Sequence, residues 1–411
     1  MPIALQQELK EYHPAHLKRS AYRIESIDVL RGMVMVIMAL DHTRDFFHFG
    51  ANTENPLGIG TTTPALYFTR WITHLCAPIF VFLAGTSIYL QGMRKTKSEL
   101  SSFLVKRGIW LILIEFFVMS FAFTFDIHFN FIVLQVIWAI GISMILLALF
   151  IRLPYAVILT TGLIIVFGHN ILDKVEARHG EPFGFFWDLA HRGNFALYHL
   201  WGRHQLAILY AFLPWTGLLF LGYCLGKLFR PKVDPDYRRK TLLILGAACL
   251  VFFILLRYLN IYGDPRPWST QHTAMYTFFS FMNINKYPPS LLYMAITIAP
   301  ALLFLGLYEN SKNWFTNIFV VYGRVPFFYY ILHFYIIHTL CLLLFLTRKH
   351  SFADGLKDIP GDPFKFVIPG EGYHLWTVYL IWIGVVAVLY PLCKWYSNYK
   401  LTHKNWWLSY I

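Results

Sequence analysis

The sequence predicts an all-α fold, a polytopic transmembrane bundle of about ten spans with both termini on the cytoplasmic side. Three observations carry this reading. Hydrophobic residues make up 57% of the 411 positions and charged residues only 14%, where a soluble domain carries about a quarter charged. So few charges cannot cover a water-facing surface, and lipid is left as the solvent. Apolar runs of about 20 residues, the length that crosses a bilayer, recur along the whole chain. Lys and Arg gather in the short connections between alternate runs, as the positive-inside rule requires.

In order, the predicted spans are 27–48, 71–92, 107–125, 131–151, 154–171, 206–229, 240–259, 288–308, 325–347 and 375–396. The first is the least apolar, because Asp28, Arg31, Asp41, His42, Arg44 and Asp45 fall within it, but its centre from Met33 to Leu40 is wholly apolar. Orientation rests mainly on the short loops 93–107 and 227–240. These hold Arg94, Lys95, Lys97, Lys106 and Arg107, and then Lys227, Arg230, Lys232, Arg238, Arg239 and Lys240. The opposite face carries the long connections 172–205, 260–287 and 348–374, which are rich in aromatics and His. Long loops held on a rigid scaffold usually carry function. The domain expectation is a basic cytoplasmic segment 1–26, a membrane domain 27–396 and a cytoplasmic tail 397–411.

The net charge of +13 does not indicate nucleic acid, because the basic residues sit in clusters beside apolar runs, where they orient helices and meet anionic lipid. Cys76, Cys224, Cys249, Cys341 and Cys393 have no CxxC spacing and read as small buried side chains, so neither a disulfide framework nor a metal is predicted. Residues 1–23 contain no apolar h-region of a cleavable signal. No repeat of 20–50 residues is evident.

Chemistry concentrates in the first two spans. With about 100° per residue and Asp28 set at zero, Arg31 falls at about −60° and His42 at about −40°, so the three share a face. Fourteen residues separate Asp28 from His42, roughly 21 Å along a helix. A polar stripe therefore runs through most of the first span, and ionisable groups in a span are expensive enough to imply function. The plainer reading is an interfacial Asp28–Arg31 pair with a polar outer cap. In the second span Arg70 and His74 are four apart and share a face, and the antiparallel arrangement brings them level with His42, Arg44 and Asp45. A His beside a carboxylate is the composition of a general base and its orienter. Arg70 also reads as an interfacial anchor. Gln135 and Asn130 open the fourth span, Glu115 lies mid-span with Arg107 or Arg31 as candidate partners, and Tyr329 and His333 are four apart in the ninth. Arg324 and the basic loops are candidate phosphate ligands. His191, His199, His204 and His272 lack the spacing of a zinc site.

These residues carry a resemblance. Ser26-Ile-Asp28-Val-Leu-Arg31-Gly32 followed by His42 is similar to the first helix of the acyltransferase-3 family, whose His in that place the resemblance makes catalytic. Pro78-Ile-Phe-Val-Phe-Leu-Ala-Gly85-Thr-Ser more closely resembles the second helix of heparan-α-glucosaminide N-acetyltransferase and its bacterial relatives. Val133-Leu-Gln135, the stretch Leu213–Tyr223 containing Gly222, and the stretch Gly323–His333 also resemble those relatives. Two departures stand out: the loop 49–69 contains no His, where the lysosomal member has its proposed catalytic one, and His74 stands where that member has an Asp.

The resemblance implies a membrane acyltransferase that moves an acetyl group from cytoplasmic acetyl-CoA to a sugar or glycan on the outer side, in a bacterial inner membrane. His42 is expected as the base, with Asp45 or Asp41 orienting it and His74 assisting. Arg70, Arg44, Gln135 and His333 are expected at the acceptor, and Asp28, Arg31 and Arg324 at the acyl-CoA. Expected partners are acyl-CoA, the acceptor and the lipid bilayer, with a homodimer left open and nucleic acid excluded. The alternative is a secondary transporter using Asp28, Arg31, Glu115 and His42 as a relay.

Overall fold

The computed structural model describes residues 24–51, 53–179, 184–308, 313–357 and 364–410. Most of the predicted basic N-terminal segment therefore lies outside the described residues. The chain is mainly helical. Helix α1 (Glu25–Phe47) is followed by α2 (Pro64–Ile72), a 3₁₀ turn (Thr73–Leu75), α3 (Cys76–Gly92), α4 (Lys97–Leu113), a π-turn (Ile114–Met119) and α5 (Ser120–Thr124). Then come β1 (Phe131–Leu134), α6 (Val136–Phe150), α7 (Tyr155–Gly168), α8 (Asp173–His179), α9 (Phe185–Trp187), β2 (Ala196–His199) and β3 (Gln205–Ile208). The chain continues through α10 (Phe212–Leu225), α11 (Pro235–Leu259), α12 (Ala274–Met282), α13 (Leu291–Leu307), α14 (Trp314–Arg324), α15 (Pro326–Thr347), α16 (Phe352–Gly355) and α17 (Leu375–Thr402).

Six helical stretches are long and apolar enough to cross a membrane: Pro64–Gly92, Tyr155–Glu176, Phe212–Phe229, Pro235–Leu259, Pro326–Thr347 and Leu375–Thr402. Two shorter apolar helices, Val136–Phe150 and Leu291–Leu307, join them. Large apolar side chains on these helices face outward, among them Ile164, Ile244, Leu255, Leu380 and Trp395, as a helix in lipid requires.

The all-α expectation needs one correction. The spans predicted to begin at 131 and 206 each open with a strand, β1 and β3, and their helices start only at Val136 and Phe212. β3 is the middle strand of a small sheet, parallel to β1 and antiparallel to β2. An apolar run does not by itself distinguish a buried strand from a helix, and here pairing between runs distant in sequence decides. The second span also begins earlier than predicted, at Pro64, where the Thr63 side chain caps α2 by accepting from the Leu66 amide.

Two backbone-to-backbone approaches hold the bundle centre. A Cβ built on Gly32 of α1 would lie 1.9 Å from the Phe319 carbonyl oxygen, and one on Gly323 of α14 would lie 1.8 Å from that of Asp28. The same occurs between α3 and α10: a Cβ built on Gly85 would lie 2.1 Å from Leu219 O, and one on Gly222 would lie 2.0 Å from Phe82 O. Small residues are what allow helices in lipid to pack this tightly. These glycines lie in the stretches that carry the family resemblance, so the motifs encode helix packing as well as chemistry.

Candidate functional site

A cavity of about 440 Å³ opens at the C-terminal end of α1, within the range of small-molecule sites. Asp41, His42 and Asp45 line it from α1, Arg70, Thr73 and Cys76 from the second span, and Gln135 from the start of α6. Loops contribute Glu54, Phe195, Tyr210, Lys286, Tyr287 and Phe364.

The carboxylates are organised by arginines. Arg70 donates from Nη1 to both Asp41 oxygens at 2.7 and 2.6 Å and to Thr73 Oγ1 at 3.3 Å. Arg44 Nη2 reaches Asp41 Oδ1 at 3.1 Å and also binds Asp45 Oδ1. Two carboxylates and two guanidiniums thus form one compensated network. Asp41 belongs to it and does not orient His42. His42 Nδ1 instead lies 3.9 Å from Asp45 Oδ2. That nitrogen is buried and has no hydrogen bond among the described residues, which leaves Nε2 as the nitrogen open to the cavity. Phe334 and His333 pack against the His42 ring, at centroid distances of 4.1 and 5.3 Å.

Three expected cavity residues sit behind its wall. His333 is wholly buried and its Nδ1 lies 3.1 Å from the Tyr329 carbonyl. A carbonyl only accepts, so that nitrogen carries the proton, and the ring backs His42 without lining the cavity. His74 is turned edge-on to Tyr293, at 5.4 Å, and Tyr293 donates its hydroxyl to the His74 carbonyl at 2.9 Å. The 3₁₀ turn at Thr73–Leu75 overwinds the chain there, so the four-residue spacing from Arg70 no longer keeps a common face, and Thr73 and Cys76 line the cavity in its place. Arg44 is spent on the carboxylates and does not line the cavity.

A second cavity, about 240 Å³, lies toward the N-terminal end of α1 and is lined by Arg31, Ser87, Gln91, Phe103, Arg107 and Phe327. Arg31 joins three helices here, donating to Ser87 Oγ at 2.7 Å and Gly323 O at 3.3 Å and pairing with Asp28 at 3.4 Å. Asp28 is buried and orients Arg31 from behind. Arg324 lines neither cavity: the Gly323 close approach brings the α14 backbone to Arg31 and leaves the Arg324 side chain elsewhere. Arg107 takes the position expected of Arg324. Phe80 lines both cavities. The two run along one face of α3, through Ala77, Phe80, Ala84, Ser87 and Gln91, which recur at helical spacing.

Glu115 pairs with neither Arg31 nor Arg107. Its Oε2 accepts from the Trp138 amide at 2.9 Å and so caps the start of α6. Among the loop histidines, His191 Nδ1 meets Glu176 at 2.6 Å and His204 Nδ1 faces the Phe129 carbonyl at 3.1 Å. No group of three or more His, Cys, Asp or Glu among the described residues is arranged to hold a metal ion.

Sequence reasoning missed Lys286, Tyr287, Tyr210, Phe195, Phe364 and Glu54. Each is an ordinary loop residue, and only the fold brings them to His42.

No curated protein matches the chain. The family model described as heparan-α-glucosaminide N-acetyltransferase, catalytic, matches residues 23–258. That segment is more than half of the chain and holds the α1 cluster, Arg70, Gln135 and Arg107. The chain belongs to the catalytic-domain family of heparan-α-glucosaminide N-acetyltransferase.

Proposed function

We propose that the protein transfers an acetyl group from cytoplasmic acetyl-CoA to an amine or hydroxyl of a sugar on the far side of the membrane, with His42 as general base. The observation that carries this reading is that the His42 cavity and the Arg31 cavity share one side chain, Phe80. In the proposal the CoA phosphates bind near Arg31 and Arg107, which positive-inside orientation puts at the cytoplasmic face. The pantetheine arm passes Phe80 along α3, and the thioester lies beside His42. His42 Nε2 takes the acceptor proton as the acceptor nitrogen or oxygen attacks the thioester carbon. The C–S bond breaks, CoA leaves as the thiolate, and the imidazolium returns a proton to it. Asp45, 3.9 Å from Nδ1, stabilises the imidazolium. Arg70 and Gln135 are the wall donors available to the acyl oxygen or to acceptor hydroxyls.

A ten-span arrangement with both ends cytoplasmic is part of the same proposal. To the six long and two shorter apolar helices it adds α1, 23 residues, and the continuous helical stretch 97–124. α1 lacks a purely apolar window because it carries Asp28, Arg31, Asp41, Arg44 and Asp45, and the stretch 97–124 is interrupted by the π-turn Ile114–Met119.

The test is acetyl transfer from labelled acetyl-CoA by the protein in proteoliposomes. A well-placed base contributes about 10²–10⁴-fold, so His42→Ala should lower kcat by that much while purifying and sedimenting like the parent. Wild-type turnover in His42→Ala would exclude His42 as the base. Transport of sugar without consumption of acetyl-CoA would replace the acetyltransferase reading altogether.

A further inference from the structure

Two residues lining the His42 cavity carry a buried polar atom with no hydrogen bond among the described residues: His42 at Nδ1 and Tyr330 at Oη. Tyr330 is 1% exposed and lies one turn along α15 from Pro326 and Phe327, which line the Arg31 cavity. A buried hydroxyl without a partner forfeits the hydrogen bonds it had in water, so its place in the wall needs a reason. Tyr329 Oη and His333 Nε2 on the same helix, and Glu115 Oε1 and Trp138 Nε1 elsewhere, are also without partners among the described residues. Their residues line neither cavity.

Three helices fix the level at which Tyr330 sits. On α3, Ala77 lines the His42 cavity, Ala84 the Arg31 cavity, and Phe80 both. On α6, Val136 lines the first and Ile137 and Ile140 the second. On α15, Tyr330 lines the first and Phe327 the second. Tyr330 thus stands where one cavity gives way to the other, among side chains that are otherwise apolar. It also packs on the same two rings as His42. The Phe334 centroid lies 4.1 Å from that of His42 and 5.7 Å from that of Tyr330, and the His333 centroid lies 5.3 and 5.8 Å away.

We infer that Tyr330 is a catalytic residue whose hydroxyl donates to the carbonyl oxygen of the thioester, where the acyl-CoA arm enters the His42 cavity. The inference rests on the acetyl-transfer reading. As the acceptor nitrogen or oxygen bonds to the thioester carbon, the carbonyl π pair moves onto its oxygen. Tyr330 O–H stabilises that oxyanion without giving up its proton. The pair then returns to re-form the carbonyl, the C–S bond breaks with its electrons on sulfur, and the proton held by His42 goes to the thiolate. A donor fixed away from water suits this role, because it needs no reorganisation as the charge develops. Arg70 Nη1 is already spent on Asp41 and Thr73, and with Gln135 it is left for the acceptor hydroxyls.

The test is Tyr330→Phe in the full chain in proteoliposomes. The ring packing is kept and only an unpartnered hydroxyl is lost, so the variant should unfold at no lower a temperature than the parent. Removing one oxyanion donor lowers kcat by about 10²–10³-fold, and KM for acetyl-CoA and for the acceptor should be unchanged. A second readout is the infrared carbonyl stretch of acetyl-CoA, isotope-labelled at the acetyl carbonyl and bound without acceptor. A hydrogen bond to a carbonyl lowers its stretching frequency, so the frequency should rise in Tyr330→Phe and stay put in Tyr329→Phe. Wild-type kcat in Tyr330→Phe, or an unshifted stretch, overturns the inference. So does a raised acceptor KM at unchanged kcat, which would place the hydroxyl at the acceptor, and so does a lowered unfolding temperature, which would make its bond structural. Acetyl-CoA that fails to bind the wild type overturns the acetyl-transfer reading and this inference with it. Turnover in the wild type with no response in Tyr330→Phe overturns this inference alone. If acetyl-CoA binds but no acceptor is acetylated, the transfer reading fails, and the stretch still decides whether Tyr330 meets the thioester.

Discussion

Replacing Asp41 with Asn tests the charged network at the centre of the candidate site. Asp41 accepts two bonds from Arg70, at 2.7 and 2.6 Å, and one from Arg44 at 3.1 Å. The side chains are 11%, 15% and 5% exposed, so little solvent is present to take over. Asn keeps one acceptor oxygen but removes the charge, leaving two guanidiniums facing Asp45 alone. Breaking a buried ion pair from one side costs about 3–5 kcal/mol, and the retained oxygen puts Asp41→Asn near the lower figure. The assay is reversible unfolding in mixed micelles, run as a cycle with Arg70→Met. Removing Arg70 also removes the orphaned charge, so the double variant should be more stable than the sum of the single losses predicts, by about 1–3 kcal/mol. Additivity within about 0.5 kcal/mol would refute the view that Arg70 is held by Asp41.

Further outcomes follow from the same contacts. Gly323→Ala places a carbon 1.8 Å from the Asp28 carbonyl oxygen; overpacking should cost about 1–3 kcal/mol, read in the same unfolding assay, and should weaken acetyl-CoA binding by moving Arg31. Phe80→Ala opens the wall between the two cavities and should raise acetyl-CoA hydrolysis relative to acetyl transfer, measured as free CoA against acetylated acceptor. His333→Ala should lower kcat with little change in acceptor KM, because the ring touches His42 and not the cavity; a raised KM alone would contradict that placement. Thr96→Ala removes the capping box with Glu99 and should cost about 1 kcal/mol with no effect on turnover.

The membrane class and the α1 cluster were legible because both are written locally: apolar length in one case, charges inside an apolar run in the other. His42, Asp45 and Arg70 line the cavity because helices of regular pitch carry them there, and Gln135 lines it from the extended junction between β1 and α6. His74 was misplaced because a 3₁₀ turn overwinds the chain, which no spacing rule anticipates. β1 and β3 looked like helix starts because their pairing joins residues about 70 positions apart, as Phe131 with Gln205. The partner of Glu115 was not legible, because the Trp138 amide is a backbone atom that composition does not reveal. Lys286 gave no signal at all, since its burial depends on the bonds that fold its loop, with Asp264 accepting from the Asn285 amide and the Arg257 guanidinium donating to the Asn283 carbonyl.

The glycine contacts between α1 and α14 and between α3 and α10 limit how the protein can move. Carbonyls already press against Cα atoms there, so these helix pairs have no compressible layer of side chains through which to slide. Under the proposed acetyl transfer, the side chain that would have to turn to join the two cavities is Phe80, the one they share.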